Sequence, residues 1–191
     1  LGAKEVLCNK SDHKLFNKYK DYRVLALMHS VENFDGYDLP NKMKLIGILI
    51  FQDEIRASAK DTLDYLKNEG VDIKIITGDS VSSTVSILKR LGIDYNVIDM
   101  TTVKKTDNLK DIVGKYNVFC RVKPDEKKEI VMALRANEHN VAFVGDGVND
   151  VLALREADSS ISIASGSDAA RNVSDVVLMK SDFKSVPLII K

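Results

Sequence analysis

The chain has 191 residues, 45% of them apolar, which is enough to bury one good core with a smaller appendage and no disulfide or metal staple. Lys plus Arg and Asp plus Glu both number 28, so the net charge is zero and no basic field exists to recruit nucleic acid or an anionic membrane. Two cysteines, Cys8 and Cys120, cannot form a disulfide framework and lack metal-ligand spacing, and no apolar run reaches the ~18–20 residues of a membrane span, so a soluble chain from a reducing compartment is expected.

Residues 1–41 are polar, with an isolated apolar run at 24–28 and a loop-like stretch at 32–41 containing Gly36 and Pro40; they read as the tail of another domain. From Lys44 onward short apolar strands alternate with helical patterns, the signature of a parallel sheet built from βαβ units. The boundary therefore falls at 43/44, with residues 44–191 forming one α/β domain. Strands are predicted at 44–51, 71–76, 117–122, 140–144, 160–164 and 175–179. Helical spacing of Ala59, Leu63 and Leu66 predicts a helix over 57–68, and that of Val85, Leu88 and Leu91 another over 82–91. Pro124 opens a third, over 125–136, where proline loses no needed donor and Asp125 and Glu126 suit the positive end of the helix dipole.

In such a sheet, chemistry belongs where strands end, and three strand ends carry it. The run Val141-Ala142-Phe143-Val144-Gly145-Asp146-Gly147-Val148-Asn149-Asp150 discharges an apolar strand into a loop with two carboxylates and two glycines. Magnesium takes one or two carboxylates plus phosphate oxygens, so Asp146 and Asp150 are candidate ligands, and the glycines clear space for a phosphate. A turn that merely favours Asp, Asn and Gly is the plain alternative. The second strand end, Thr77-Gly78-Asp79-Ser80, offers a hydroxyl and a carboxylate just ahead of a helix; Asp79 could equally be only the helix cap. In the third, Arg121-Val122-Lys123-Pro124-Asp125-Glu126-Lys127, a lysine in the first helical turn opposes the dipole unless a phosphate is bound nearby. Lys127 is preferred over Lys123 and Lys128, against the alternative of a solvated lysine on a charged face.

Taken in order, Thr77-Gly78-Asp79, Lys127 after Arg121 and Pro124, and Gly145-Asp146-Gly147-Val148-Asn149-Asp150 resemble the later motifs of the haloacid-dehalogenase superfamily. The last run resembles the hinge motif of P-type cation-transporting ATPases, and Ala153-Leu154, Ala157-Asp158 and 165–170 continue the similarity. Asp53-Glu54-Ile55-Arg56 is similar to the family's Asp-Pro-x-Arg loop, and Leu1-Gly2-Ala3-Lys4-Glu5 to its Lys-Gly-Ala-x-Glu segment. Glu54 stands in place of the usual proline and Leu1 in place of the lysine.

The resemblance implies a Rossmannoid three-layer fold of the haloacid-dehalogenase type, with residues 1–43 a remnant of a nucleotide-binding domain. It implies that Asp146 holds magnesium, with Asn149 and Asp150 ordering the phosphate and the metal's surroundings, and that Thr77, Gly78 and Lys127 contact the phosphoryl group. Asp53, Arg56, Asp79 and Arg121 would face the nucleotide. The cofactors implied are Mg2+ and ATP. The parent would be an integral membrane pump whose catalytic part lies on the cytoplasmic face, passing ATP's terminal phosphoryl to an aspartate while a cation, calcium or another hard ion, crosses through membrane helices. The family's Asp-Lys-Thr-Gly-Thr segment, which carries that aspartate, does not occur in these 191 residues, so the chain alone is expected to be inactive. Asp99, in Ile98-Asp99-Met100-Thr101, imitates the segment in the wrong order along the chain and reads as a decoy. Two alternatives from other functional classes stand beside the pump: a soluble phosphatase using Asp53, which lacks the acid two positions on because Ile55 is there, and a catalytically silent module that binds magnesium or phosphate.

Overall fold

The computed structural model describes residues 1–8, 13–19, 22–32, 39–51, 54–104, 106–179, 185–186 and 189. Gly36 and Asp53, both singled out above, lie outside the described residues. The chain divides into two compact units, Leu1–Glu54 and Ile55–Lys191.

The first unit is a three-stranded antiparallel sheet with two short helices. Strand β1 (Gly2–Ala3) is followed by helices α1 (Lys4–Leu7) and α2 (His13–Phe16), then by strands β2 (Arg23–His29) and β3 (Lys44–Phe51), in the spatial order β1-β2-β3. Its core is Phe16, Val24 and Ala26, against which Leu7, Met28, Leu45 and Ile48 pack. The strand expected to open the parallel sheet therefore does something else: β3 pairs antiparallel with β2, from Arg23 opposite Phe51 to His29 opposite Lys44, with an irregularity between Leu27 and Met28. The apolar run at 24–28 is its partner and is not isolated. A run as uniformly apolar as Leu45-Ile46-Gly47-Ile48-Leu49-Ile50 has no period to reveal which kind of sheet it joins. The first compact unit ends at Glu54, so β3 lies within it.

The second unit is α/β. Helix α3 (Ala59–Asn68) precedes β4 (Ile75–Ile76), α4 (Val81–Leu91), β5 (Val97–Asp99), α5 (Leu109–Lys115), β6 (Val118–Cys120) and α6 (Pro124–Arg135). Then come β7 (Ala142–Val144), α7 (Val151–Glu156), β8 (Ser159–Ile163), α8 (Asp168–Val173) and β9 (Val176–Leu178). Two three-stranded parallel sheets result, in the orders β4-β6-β5 and β7-β8-β9. Phe119, Val113 and Ile130 are fully buried in one core cluster, and Val131, Ala153 and Leu154 in another, with Ile76 and Val141 packed against both. No helix among the described residues is long and apolar enough to cross a membrane.

Local chemistry sets the helix ends. The Ser80 hydroxyl accepts from Ser83 N–H at 3.3 Å to cap α4, so Ser80, and not Asp79, is the cap. At the other end of α4, Gly92 takes φ +69°, a left-handed turn that lets Ile93 N–H reach Leu88 O at 3.0 Å. Pro124 occupies the first turn of α6 as expected, and Glu126 reaches back to accept Lys123 N–H at 2.8 Å.

Asp175 closes the β8–β9 edge. Ser160 donates its N–H and its hydroxyl to Asp175 Oδ2, both at 2.8 Å, and Asp175 N–H donates back to Ser160 Oγ at 2.9 Å. These bonds, the Ser160 hydroxyl's foremost, hold the Asp175 carboxyl below its ordinary pKa of 3.8. A carboxylate with a lowered folded pKa stabilises the fold above the unfolded value and loses that contribution as the pH falls through the folded one. The stability gap between wild type and Asp175→Asn, read from urea midpoints, should therefore be open at neutral pH and close as the pH drops below 3.8. A gap independent of pH would show that geometry, not charge, makes the contact.

Candidate functional site

The loops of interest leave the carboxyl ends of β4, β6 and β7. Thr77, directly after β4, is fixed by β6 and the residues just past it: its N–H donates to Phe119 O at 2.9 Å and its carbonyl accepts Val122 N–H at 3.0 Å. Its hydroxyl donates to Asp79 Oδ2 at 3.2 Å and accepts Asp79 N–H at 3.1 Å, so Asp79 sets the rotamer of Thr77. Gly78 has only ordinary clearance, 3.7 Å from where its Cβ would be to Val122 O. The same hydrogen bonding that ties Thr77 to Val122 places this loop against the entry of α6.

One turn into α6, Lys127 reaches the loop after β7. Its Nζ donates to Asp150 Oδ1 at 2.5 Å, with the two side chains only 15% and 11% exposed. Asp150 Oδ2 accepts Gly147 N–H at 3.0 Å. Both carboxylate oxygens of Asp150 are thus engaged. Asp146, four residues earlier, is exposed, and among the described residues its carboxylate meets no cation and accepts no hydrogen bond. Asn149 is exposed in the short turn between Gly147 and α7. The glycine at 145 is required: a Cβ there would stand 2.7 Å from Asp150 Cβ and 2.9 Å from Phe143 Cε1.

The sequence-predicted residues therefore fall into two contacting groups. Lys127 meets Asp150 and Thr77 meets Asp79, while Arg121 joins the second group through its N–H on Asp79 O at 2.9 Å. Arg121 adopts φ +56°, a left-handed backbone costly for a residue with a Cβ. Its guanidinium lies 3.6 Å from Asp99 Oδ2. Asp99 is in turn held by Thr101, whose hydroxyl and N–H donate to Oδ1 at 2.6 and 3.0 Å and lower its pKa. Asp99, which in sequence imitates a nucleophile segment, ends the short strand β5 beside β6 and is a partner for Arg121. Arg56 lies exposed ahead of α3, its carbonyl accepting Ala59 N–H at 2.9 Å. An open groove of about 530 Å3, lined by Ile98, Val103, Asp107, Asp111, Ile112 and Tyr116 among others, involves none of the candidate residues.

An exposed carboxylate at a strand end is a donor that suits magnesium, which needs few protein ligands. Among the described residues no three His, Cys, Asp or Glu side chains cluster to hold an ion. Magnesium is held instead by one or two carboxylates with phosphate and water oxygens, and Asp146 offers one such carboxylate at a strand end.

The family model of haloacid dehalogenase-like hydrolases matches residues 6–158. The chain belongs to the haloacid dehalogenase-like hydrolases. Within that family it is similar to cation-transporting ATPases. It is 36% identical over 169 residues to the calcium-transporting ATPase CtpE of Mycobacterium tuberculosis, covering 88% of the chain and 21% of that protein. It is 40% identical over 194 residues to the probable cation-transporting ATPase exp7 of Streptococcus pneumoniae, covering all of the chain and 25% of that protein. It is also 38% identical over 146 residues to a P-type magnesium-transporting ATPase of Salmonella typhimurium, covering 74% of the chain and 16% of that protein. This haloacid dehalogenase-like chain thus spans a quarter or less of these relatives. Among solved structures, the catalytic domain of the CPx-ATPase CopB-B is 28% identical with a TM-score of 0.58, over 78% of the chain and 52% of that one. A zinc-transporting PIB-type ATPase shares the fold at a TM-score of 0.65 and 22% identity, over 96% of the chain and 25% of that one.

Proposed function

We propose that the chain is the phosphorylation-domain core of a P-type cation-transporting ATPase, with Ile55–Lys191 as that domain and Leu1–Glu54 as a remnant of its nucleotide-binding domain. The observation that carries this reading is the Lys127–Asp150 pair, which docks the first turn of α6 on the Gly-Asp-Gly-Val-Asn-Asp loop and leaves Asp146 as that loop's free carboxylate.

Each residue then has work that its geometry suits. Asp146 holds magnesium, which when bound neutralises the phosphoryl oxygens and orients them. An ammonium has three donors; Lys127 spends one on Asp150 Oδ1, which fixes its place, and keeps two for the phosphoryl group. The Thr77 hydroxyl, aimed by Asp79, and the Gly78 backbone receive the same group from the β4 side. Asn149 and Asp150 order the phosphate's surroundings. Arg121, Asp79 and Arg56 serve the nucleotide side. The phosphoryl passes to the aspartate of an Asp-Lys-Thr-Gly-Thr segment, which these 191 residues do not contain. The transported ion is a hard cation, as the names of the calcium- and magnesium-transporting relatives support, and it crosses through membrane helices that carry the catalytic part on the cytoplasmic face.

Magnesium titration tests the reading. Asp146→Asn should weaken magnesium binding roughly tenfold, the equivalent of about 1.4 kcal/mol. The chain alone should neither label itself from ATP nor hydrolyse a phosphomonoester faster than buffer. Unchanged magnesium binding in Asp146→Asn would remove the metal from this loop. Phosphatase turnover that disappears in Asp53→Asn would replace the pump reading with a soluble phosphatase.

A further inference from the structure

The turn after β8 packs on the backbone of Asp146. Ser167 N–H donates to the Asp146 carbonyl at 2.8 Å. Gly166 packs so tightly on Asp146 that a Cβ on it would lie 2.6 Å from that carbonyl oxygen and 3.0 Å from Asp146 Cβ. Ser167 Oγ caps α8 by accepting Ala170 N–H at 3.2 Å, Gly166 N–H donates to Ile163 O at 2.8 Å, and one cationic side chain gathers the turn's carbonyls. Arg171, on α8, sends Nη1 to Ala164 O at 2.7 Å and to Gly166 O at 2.6 Å, while Nη2 meets the Asp168 carboxylate. Two main-chain carbonyls pointing at one guanidinium nitrogen are costly to leave without a donor once partly buried.

We propose that Arg171 is a positioning residue for the magnesium carboxylate: its guanidinium locks the turn from Ala164 to Ser167, and the turn fixes the backbone of Asp146 and so the direction of its side chain. This rests on Asp146 being the magnesium ligand. Arginine is suited because its planar fork serves the turn carbonyls and Asp168 together, whereas lysine offers a point charge on a flexible stem. Partners that orient a metal ligand without touching the metal change affinity by about 10- to 100-fold when lost.

The test uses the whole chain as wild type, Arg171→Gln and Arg171→Lys. Two readouts are taken: amide hydrogen exchange and calorimetric titration with magnesium alone. The Ser167 N–H reports the contact to Asp146. The Gly145 N–H, which donates to Ile161 O at 3.0 Å, reports the sheet. In Arg171→Gln, Ser167 exchange should accelerate about tenfold with Gly145 unchanged, and magnesium affinity should fall about tenfold; Arg171→Lys should move both in the same direction by less. If Gly145 also opens in Arg171→Gln, the fold has been lost, and the lysine variant decides by the same pair of readouts. Ser167 exchange at the wild-type rate, or faster exchange with wild-type magnesium affinity, overturns the proposal while leaving Asp146 as ligand. Absence of magnesium binding by the wild type, equalled by Asp146→Asn, instead removes the metal reading and the proposal with it.

Discussion

Replacing Lys127 by methionine should lower the stability of the α/β unit by about 3 kcal/mol, measured by urea denaturation followed by circular dichroism. The loss comes from Asp150, whose side chain is only 11% exposed and would be left with the single N–H of Gly147 for a full negative charge. Breaking a buried pair by removing one partner costs more than the pair contributes, because the other charge stays where water cannot reach it. The double variant Lys127→Met with Asp150→Leu removes both charges and should recover about 2 kcal/mol of the loss. A single-variant loss under about 1 kcal/mol would place the pair among water-screened surface contacts, and a double variant no better than the single would shift the cost to packing of the lysine stem.

Phe119→Ala should cost about 4 kcal/mol by the same measurement. Phe119 is fully buried among Val113, Val122 and Ile130, with Met100 in the same cluster, and its removal leaves a void that strand and helix backbones cannot fill without moving. The effect reaches the site, because the carbonyl of Phe119 receives Thr77 N–H. A methyl or amide shift change at Thr77 in the alanine variant would show that transmission. A loss below about 2 kcal/mol would mean that the core collapses around the void.

What could be read from residues alone follows from how local each signal is. The loop after β7 and the Pro124 start of α6 are written in consecutive residues and stand where expected. Strand β5 is three residues long, too short for a period, and Asp99 within it looked like a motif fragment when it is a partner for Arg121. Leu109, Ile112 and Val113 do carry helical spacing, and Asn108 caps them by accepting Lys110 N–H, so α5 was legible but unread. β3 went to the wrong sheet because its partner lies on the far side of a polar loop, and uniform apolarity hides direction. Asp146 and Asp150 are the same residue type in one loop; Lys127, arriving from another helix, together with the Gly147 N–H separates the engaged carboxylate from the free one. The Arg171 turn was missed for the same reason, since its bonds go to main-chain carbonyls that no residue type announces.

Every parallel pairing in the α/β unit spans at least one helix: β4 with β6, β5 with β6, β7 with β8 and β8 with β9. Loop closure has to be completed over those stretches before a strand gains its partner, which makes the topology a slow one to fold. The strand-end loops come into register only when the pairings do. Occupancy of those loops is therefore linked to the entire folding equilibrium: a ligand at a hundred times its dissociation constant adds about 2.7 kcal/mol to the whole unit, so its melting temperature becomes a gauge of the free ligand concentration.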